Sequence, residues 1–114
     1  MGGAVMIRNG EVLSERWKKM PLCEQMAHVG SEVSRAVHWR KKGKRDLSQN
    51  AVDRALELLD MSLDAANSFP RLKEIARVRE ALVDYFYGSN MYASSDILWQ
   101  KYFDAFNYAA RKTR

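Results

Sequence analysis

From Leu22 onward the apolar positions recur at helical spacing. Leu22, Met26, Val29, Val33, Ala36 and Val37 fall on one face, separated by three and four residues. The spacing predicts a helix that Gly43 stops, with Arg40, Lys41 and Lys42 in the last turn, where cations complement the helix dipole. Pro21 stands where a first-turn proline is tolerated. A second stripe follows in Leu47, Ala51, Ala55, Leu58, Leu59 and Ser62, widened by Val52, Leu56 and Leu63. Asp53, Glu57, Asp60 and Asp64 take its opposite side, and Asp46 with Gln49 has the form of a capping box at its start. "NSFPRLKE" is a break and restart, with Ser68 as cap and Pro70 set for a first turn. Leu72, Ile75, Val78, Leu82, Val83 and Phe86 make the third stripe, ended by Gly88. After the polar loop "GSNMYASS", Ser94 or Ser95 caps a fourth helix with Asp96 in its first turn. Leu98, Tyr102, Ala105, Phe106 and Ala109 form its stripe, flanked by Trp99 and Phe103.

Each helix is roughly 18–21 residues and about 27–32 Å long. Matched lengths and short connections predict an all-α fold, an antiparallel up-down-up-down four-helix bundle over residues 21–114. Residues 1–20 are expected to be a flexible N-terminal segment. The Asn-Gly dipeptide within "AVMIRNGEVLS" is a hairpin signal, but a lone two-stranded hairpin is marginal in water. One helical turn around "SERWKKM" is the regular structure expected there.

Composition narrows the class. The chain has 114 residues, 46% hydrophobic and 29% charged, which suits one globular domain and not a disordered chain. No apolar run is long enough to span a membrane. Cys23 is the only cysteine, so no internal disulfide can form and a cytoplasmic setting is expected.

Charge adds more. The net charge is +5, and the excess is concentrated. Arg35, Arg40, Lys41, Lys42, Lys44 and Arg45 occur within eleven positions that hold no acid, and an acidic stretch follows at once. In an alternating bundle the first and third helices end at the same pole, which brings this turn near Tyr85, Tyr87 and Tyr92, with Trp39 on the helix itself. Cations for phosphates and aromatic faces for unstacked bases are the means by which single-stranded nucleic acid is held. The alternative for the same cations is a solvated corner that stabilises its own helix end or answers the acidic face of the second helix.

Other candidates are weaker. Arg79 lies within the third apolar stripe, so its guanidinium must snorkel or find a carboxylate, and Glu32 is the expected partner in a structural ion pair. Glu24, His28 and Glu32 share a face, but two histidines in the whole chain fall short of a dimetal bundle, so no metal is expected. No cofactor motif, Gly-rich phosphate loop or nucleophile with a nearby base occurs, and no enzyme is expected. Helical ribonucleases of the HEPN type carry Arg, four to six residues, then His; Arg35 precedes His38 by only two. The aromatic stripe of the last helix is wider than one seam requires, so Trp99 and Phe103 are expected at an exposed flank and the chain is expected to be a homo-oligomer.

The layout of four matched helices with a basic turn, over about residues 22–112, resembles the four-helix proteins encoded in ribosomal RNA intervening sequences and the accessory proteins of diversity-generating retroelements. The resemblance is one of architecture and charge. It implies rings of bundles and a role in binding nucleic acid or a reverse transcriptase. "RLKEIARVREALVDYFYGSN" and "RALELLD" also resemble uncharacterised bacterial proteins of similar length. Two readings follow. The first is a non-enzymatic bacterial protein that binds RNA or DNA through a basic pole, using Arg35, Trp39, Arg40, Lys41, Lys42, Lys44, Arg45, Tyr87 and Tyr92. The alternative is a scaffold subunit of a larger complex that binds a protein partner through the acidic flank of the second helix and the aromatic flank of the fourth.

Overall fold

A computed structural model describes residues 14–112, and all regular structure among them is helical. A short helix, α1, covers residues 14–19. Four long ones follow: α2 (Leu22–Lys41), α3 (Arg45–Ala65), α4 (Phe69–Tyr87) and α5 (Asp96–Lys112). The expected hairpin signal lies outside the described residues. Among the described residues no helix is long and apolar enough to cross a membrane.

Helix α2 packs against both α3 and α5, and α3 packs against α4. The main core joins Met26, Val29 and Val33 of α2 to Ala55 and Leu59 of α3, and to Ile75, Val78 and Leu82 of α4. Trp99 and Phe103 of α5 complete it. The α2–α5 approach is close because Gly30 has no side chain: a Cβ there would lie 2.7 Å from the Cβ of Phe103. A smaller cluster of Ala36, Ala51 and Val52 lets α2 and α3 approach near their connection. There the buried Ser48 hydroxyl donates to the Ala36 carbonyl at 2.8 Å.

Three expectations are corrected. Part of the segment expected to be flexible belongs to the core. The helical turn around "SERWKKM" forms as α1, and Trp17 on it is only 2% exposed. The burial is tolerated because its Nε1–H donates to Ser62 Oγ at 2.8 Å. Gln25 then secures the end of α1 by donating from Nε2 to the Trp17 and Met20 carbonyls. Truncating a tryptophan so buried costs about 3–5 kcal/mol, too much for a dispensable segment.

The second correction is to the face of α5. Trp99 and Phe103 are buried, while Leu98 of the expected stripe is 55% exposed. The notch at Gly30 turns the helix so that its largest rings enter the core. The third concerns the start of α3. It begins at Arg45, after Lys44, with no side-chain cap. Asp46 lies within the first turn, where its charge suits the dipole, and the side chain nearest in role to a fastening is Ser48. The remaining caps are as expected: Ser68 Oγ accepts from the Arg71 N–H, and Ser95 Oγ from the Leu98 N–H.

Candidate functional site

The cationic connection between α2 and α3 is built from backbone alone. Gly43 has φ +72°, the left-handed conformation that glycine adopts without strain. Its N–H donates to the Arg40 carbonyl at 3.0 Å, and the Lys44 N–H donates to the Trp39 carbonyl at 2.9 Å. These two bonds are the Schellman motif, which satisfies the last carbonyls of α2. No side chain is needed to close the turn, so those of Lys41, Lys42, Lys44 and Arg45 project into solvent. None of the four has a carboxylate within ion-pair distance among the described residues.

The other two cations of the segment are engaged. Arg40 reaches across the pole, donating from Nη2 to Asp96 Oδ1 at 2.5 Å and to the Tyr85 hydroxyl at 3.1 Å. Its guanidinium also lies over the rings of Tyr85 and Phe86, at 4.9 and 5.0 Å from their centroids. Burial works against the Arg40 charge, but the Tyr85 hydroxyl and the Asp96 carboxylate outweigh it and raise its pKa. Tyr85 donates in turn to Asp96 at 2.5 Å. Burial first, and then that carboxylate, hold its phenol pKa above the ordinary value. Arg40, Tyr85 and Asp96 thus fasten the end of α2 to the end of α4 and the start of α5. Arg35 donates to Glu32 Oε1 at 2.7 Å, and Arg54 to Glu32 Oε2 at 2.8 Å.

That arrangement corrects the expected ion pair. Glu32 is neutralised by Arg35 and Arg54 and does not meet Arg79. Arg79 pairs with Asp60 of α3, with Nε donating at 2.6 Å. Both partners keep substantial exposure, because the long arginine stem leaves the stripe and carries its charge to the edge.

Beside the turn, α3 and α4 enclose a groove of about 290 Å³. Arg40, Arg45 and Gln49 line its polar side, and Val52, Phe86 and Tyr87 its apolar side. The Tyr87 ring is 47% exposed, and its hydroxyl donates to Asp53 at 2.9 Å. Burial, then Asp53, raises its pKa. Trp39 is half-buried and packs edge-on against His38.

Tyr92 departs from the expected set. Its hydroxyl donates to Glu80 at 3.0 Å and its backbone N–H to Asp84 at 3.0 Å. The hydrogen bond to Glu80 is the main reason its pKa is raised. Its polar groups are therefore taken up by two carboxylates of α4. The aromatic flank expected on α5 is likewise not on offer, since Trp99 and Phe103 are buried. The Arg40–Tyr85–Asp96 fastening was not foreseen as a unit. Its signal was a carboxylate in the first turn of a helix that starts where the cationic one ends.

Comparison of the chain with protein-family models, with curated proteins and with solved structures yields no match.

Proposed function

We propose that this chain binds RNA or DNA through its basic pole. The observation that carries the reading is the group of four exposed cations, Lys41, Lys42, Lys44 and Arg45, which have no carboxylate partner among the described residues. Like charges gathered without counter-charges form a local positive field, and phosphates are the polyanions such a field attracts most strongly. The neighbouring groove, which Arg45 also lines, adds a half-exposed tyrosine ring on which a base can stack. Arg35 and Arg40 act here as structural cations that already hold carboxylates, and Trp39 and Tyr87 are the aromatic members nearest the turn in sequence and in the groove.

The reading treats the four long helices as an antiparallel up-down-up-down bundle. Cross-helix pairs support that: Glu32 with Arg54 and Ala36 with Ser48, then Asp60 with Arg79 and Asp53 with Tyr87, run in opposite order along their helices. Fluorescence anisotropy with labelled single-stranded and double-stranded oligonucleotides tests the function. Binding should weaken linearly in log–log plots against salt, with each phosphate contact contributing a slope of about 0.7 on single strands or 0.9 on duplex. Binding that is weak at low salt, or indifferent to removal of Lys42, Lys44 and Arg45, rules the proposal out.

A further inference from the structure

The groove of about 290 Å³ beside the basic turn changes character along α3. Arg45, Gln49 and Val52 line it at spacings of four and three residues, so they share one face over about 10 Å of helix. The first is an exposed cation with no carboxylate partner among the described residues. The second is an uncharged amide, which both donates and accepts. The third is apolar, and Phe86 and Tyr87 line the same groove from α4. The two rings differ in what covers them. The Arg40 guanidinium lies over Phe86, 5.0 Å from its centroid, whereas no ring or cation lies over Tyr87 among the described residues. The Tyr87 hydroxyl donates to Asp53 at 2.9 Å, which holds the ring in place. Asp53 also puts a negative charge about two turns beyond Arg45 on α3, at the aromatic end.

We infer that the chain selects single-stranded nucleic acid over duplex, by seating one unstacked base in this groove against Tyr87. The inference rests on the nucleic-acid reading above and adds which form of nucleic acid the pole takes. A cation, then an amide, then an open ring is the order of a phosphate, a base edge and a base face. The carboxylate at the ring end repels a second phosphate there and tolerates a neutral base, so the strand has one direction of entry. In a duplex the base faces are closed by stacking. Extruding one costs at least as much as stacking on a single tyrosine returns, so a duplex meets the turn through its phosphates alone. Charge by itself favours the duplex, whose phosphates are the more closely spaced. A preference for the single strand therefore has to come from the base.

Anisotropy titrations of the full chain with three labelled probes of equal length test it: a single strand, its duplex, and an abasic strand that keeps the phosphates and lacks the bases. The single strand is made with ribose and with deoxyribose, and the comparison uses whichever binds more tightly. The intact single strand should bind about tenfold more tightly than the abasic one, as the loss of one stacked base implies. It should also bind more tightly than the duplex. Tyr87→Leu should lower single-strand affinity about tenfold, with the slope against salt unchanged and duplex affinity unchanged. Tyr87→Phe keeps the ring and should stay within about threefold of wild type. An abasic strand that binds as tightly as the intact one overturns this inference alone and leaves the phosphate contacts of the basic pole standing. So does a duplex that binds more tightly than the single strand. Tyr87→Leu that weakens neither probe, or weakens both alike, also overturns it, since a folding defect acts on both. A chain that binds none of the three removes the inference together with the reading on which it rests.

Discussion

Two connections meet at one pole of this molecule, and they are built in opposite ways. The α2–α3 turn closes through backbone hydrogen bonds around Gly43 and leaves its side chains free. The α4–α5 loop, residues 88–95, is held by side chains. Asp84 accepts from the Met91 and Tyr92 N–H groups, and Asn90 bonds to the Ser94 backbone through both ends of its amide. Asn90 and Ala93 also adopt positive φ, which non-glycine residues do at some cost. A connection whose backbone satisfies itself can present its side chains to a ligand. One that consumes them on its own N–H groups cannot. The contrast explains why the cations are available while Tyr92, on the other connection, is tied to carboxylates.

If that contrast holds, function and stability should separate cleanly between the two connections. The largest effect belongs to the cations. Replacing Lys42, Lys44 and Arg45 together by Ala should lower oligonucleotide affinity by about two orders of magnitude at low salt and flatten the salt dependence. Its unfolding free energy in urea should stay within about 0.5 kcal/mol of wild type, since no ion pair of the folded state is lost. Asp84→Ala should behave in the reverse way. It leaves two backbone N–H groups without an acceptor, so unfolding should show a loss of about 1–3 kcal/mol while nucleic-acid affinity is unchanged.

A smaller effect is expected at Gly43. Nothing lies within 4 Å of a Cβ placed there, so Gly43→Ala carries only the strain of a left-handed backbone, about 1–2 kcal/mol by denaturant titration. Gly30→Ala offers a control of the opposite kind. Its φ is unstrained, but the new Cβ meets the Cβ of Phe103, an atom that moves only with the helix. The loss of about 1–3 kcal/mol from overpacking should exceed the gain of roughly 1 kcal/mol in helix propensity.

The smallest effect lies at the seam of the two connections and depends on pH. Tyr85 has a raised folded pKa, because burial and Asp96 disfavour its phenolate. The unfolded chain ionises first as pH rises past about 10, the ordinary tyrosine value. The contribution is therefore complete below pH 10 and declines as pH climbs toward the folded value. Thermal melts from pH 9 upward should show this decline, and Tyr85→Phe should make it shallower. Tyr102, raised by burial and then by Glu74, adds to the same alkaline loss.

Helix existence, most helix ends and the cationic turn were all legible in the order of residues. The reason is that they depend on local physics. A stripe repeating every three to four residues forms a helix wherever it packs, Gly43 permits its left-handed turn whatever surrounds it, and Ser68 and Ser95 cap their own helices. The cluster of unopposed charge was visible for the same reason, since it lies within one run of chain.

Other features required partners distant along the chain. That Trp17 belongs to the core depends on Ser62, forty-five residues away. That α5 buries Trp99 and Phe103, and not Leu98, depends on a glycine of α2 opposite Phe103. Glu32 could have met any of several arginines, and Arg79 any of several carboxylates; helix spacing and side-chain reach selected Arg35 and Arg54 for the one and Asp60 for the other. Periodicity tells a helix which side is greasy to within about a residue, but a step of one residue turns that side by about 100°. Only the neighbouring helices, through the shape of their surfaces, remove that ambiguity.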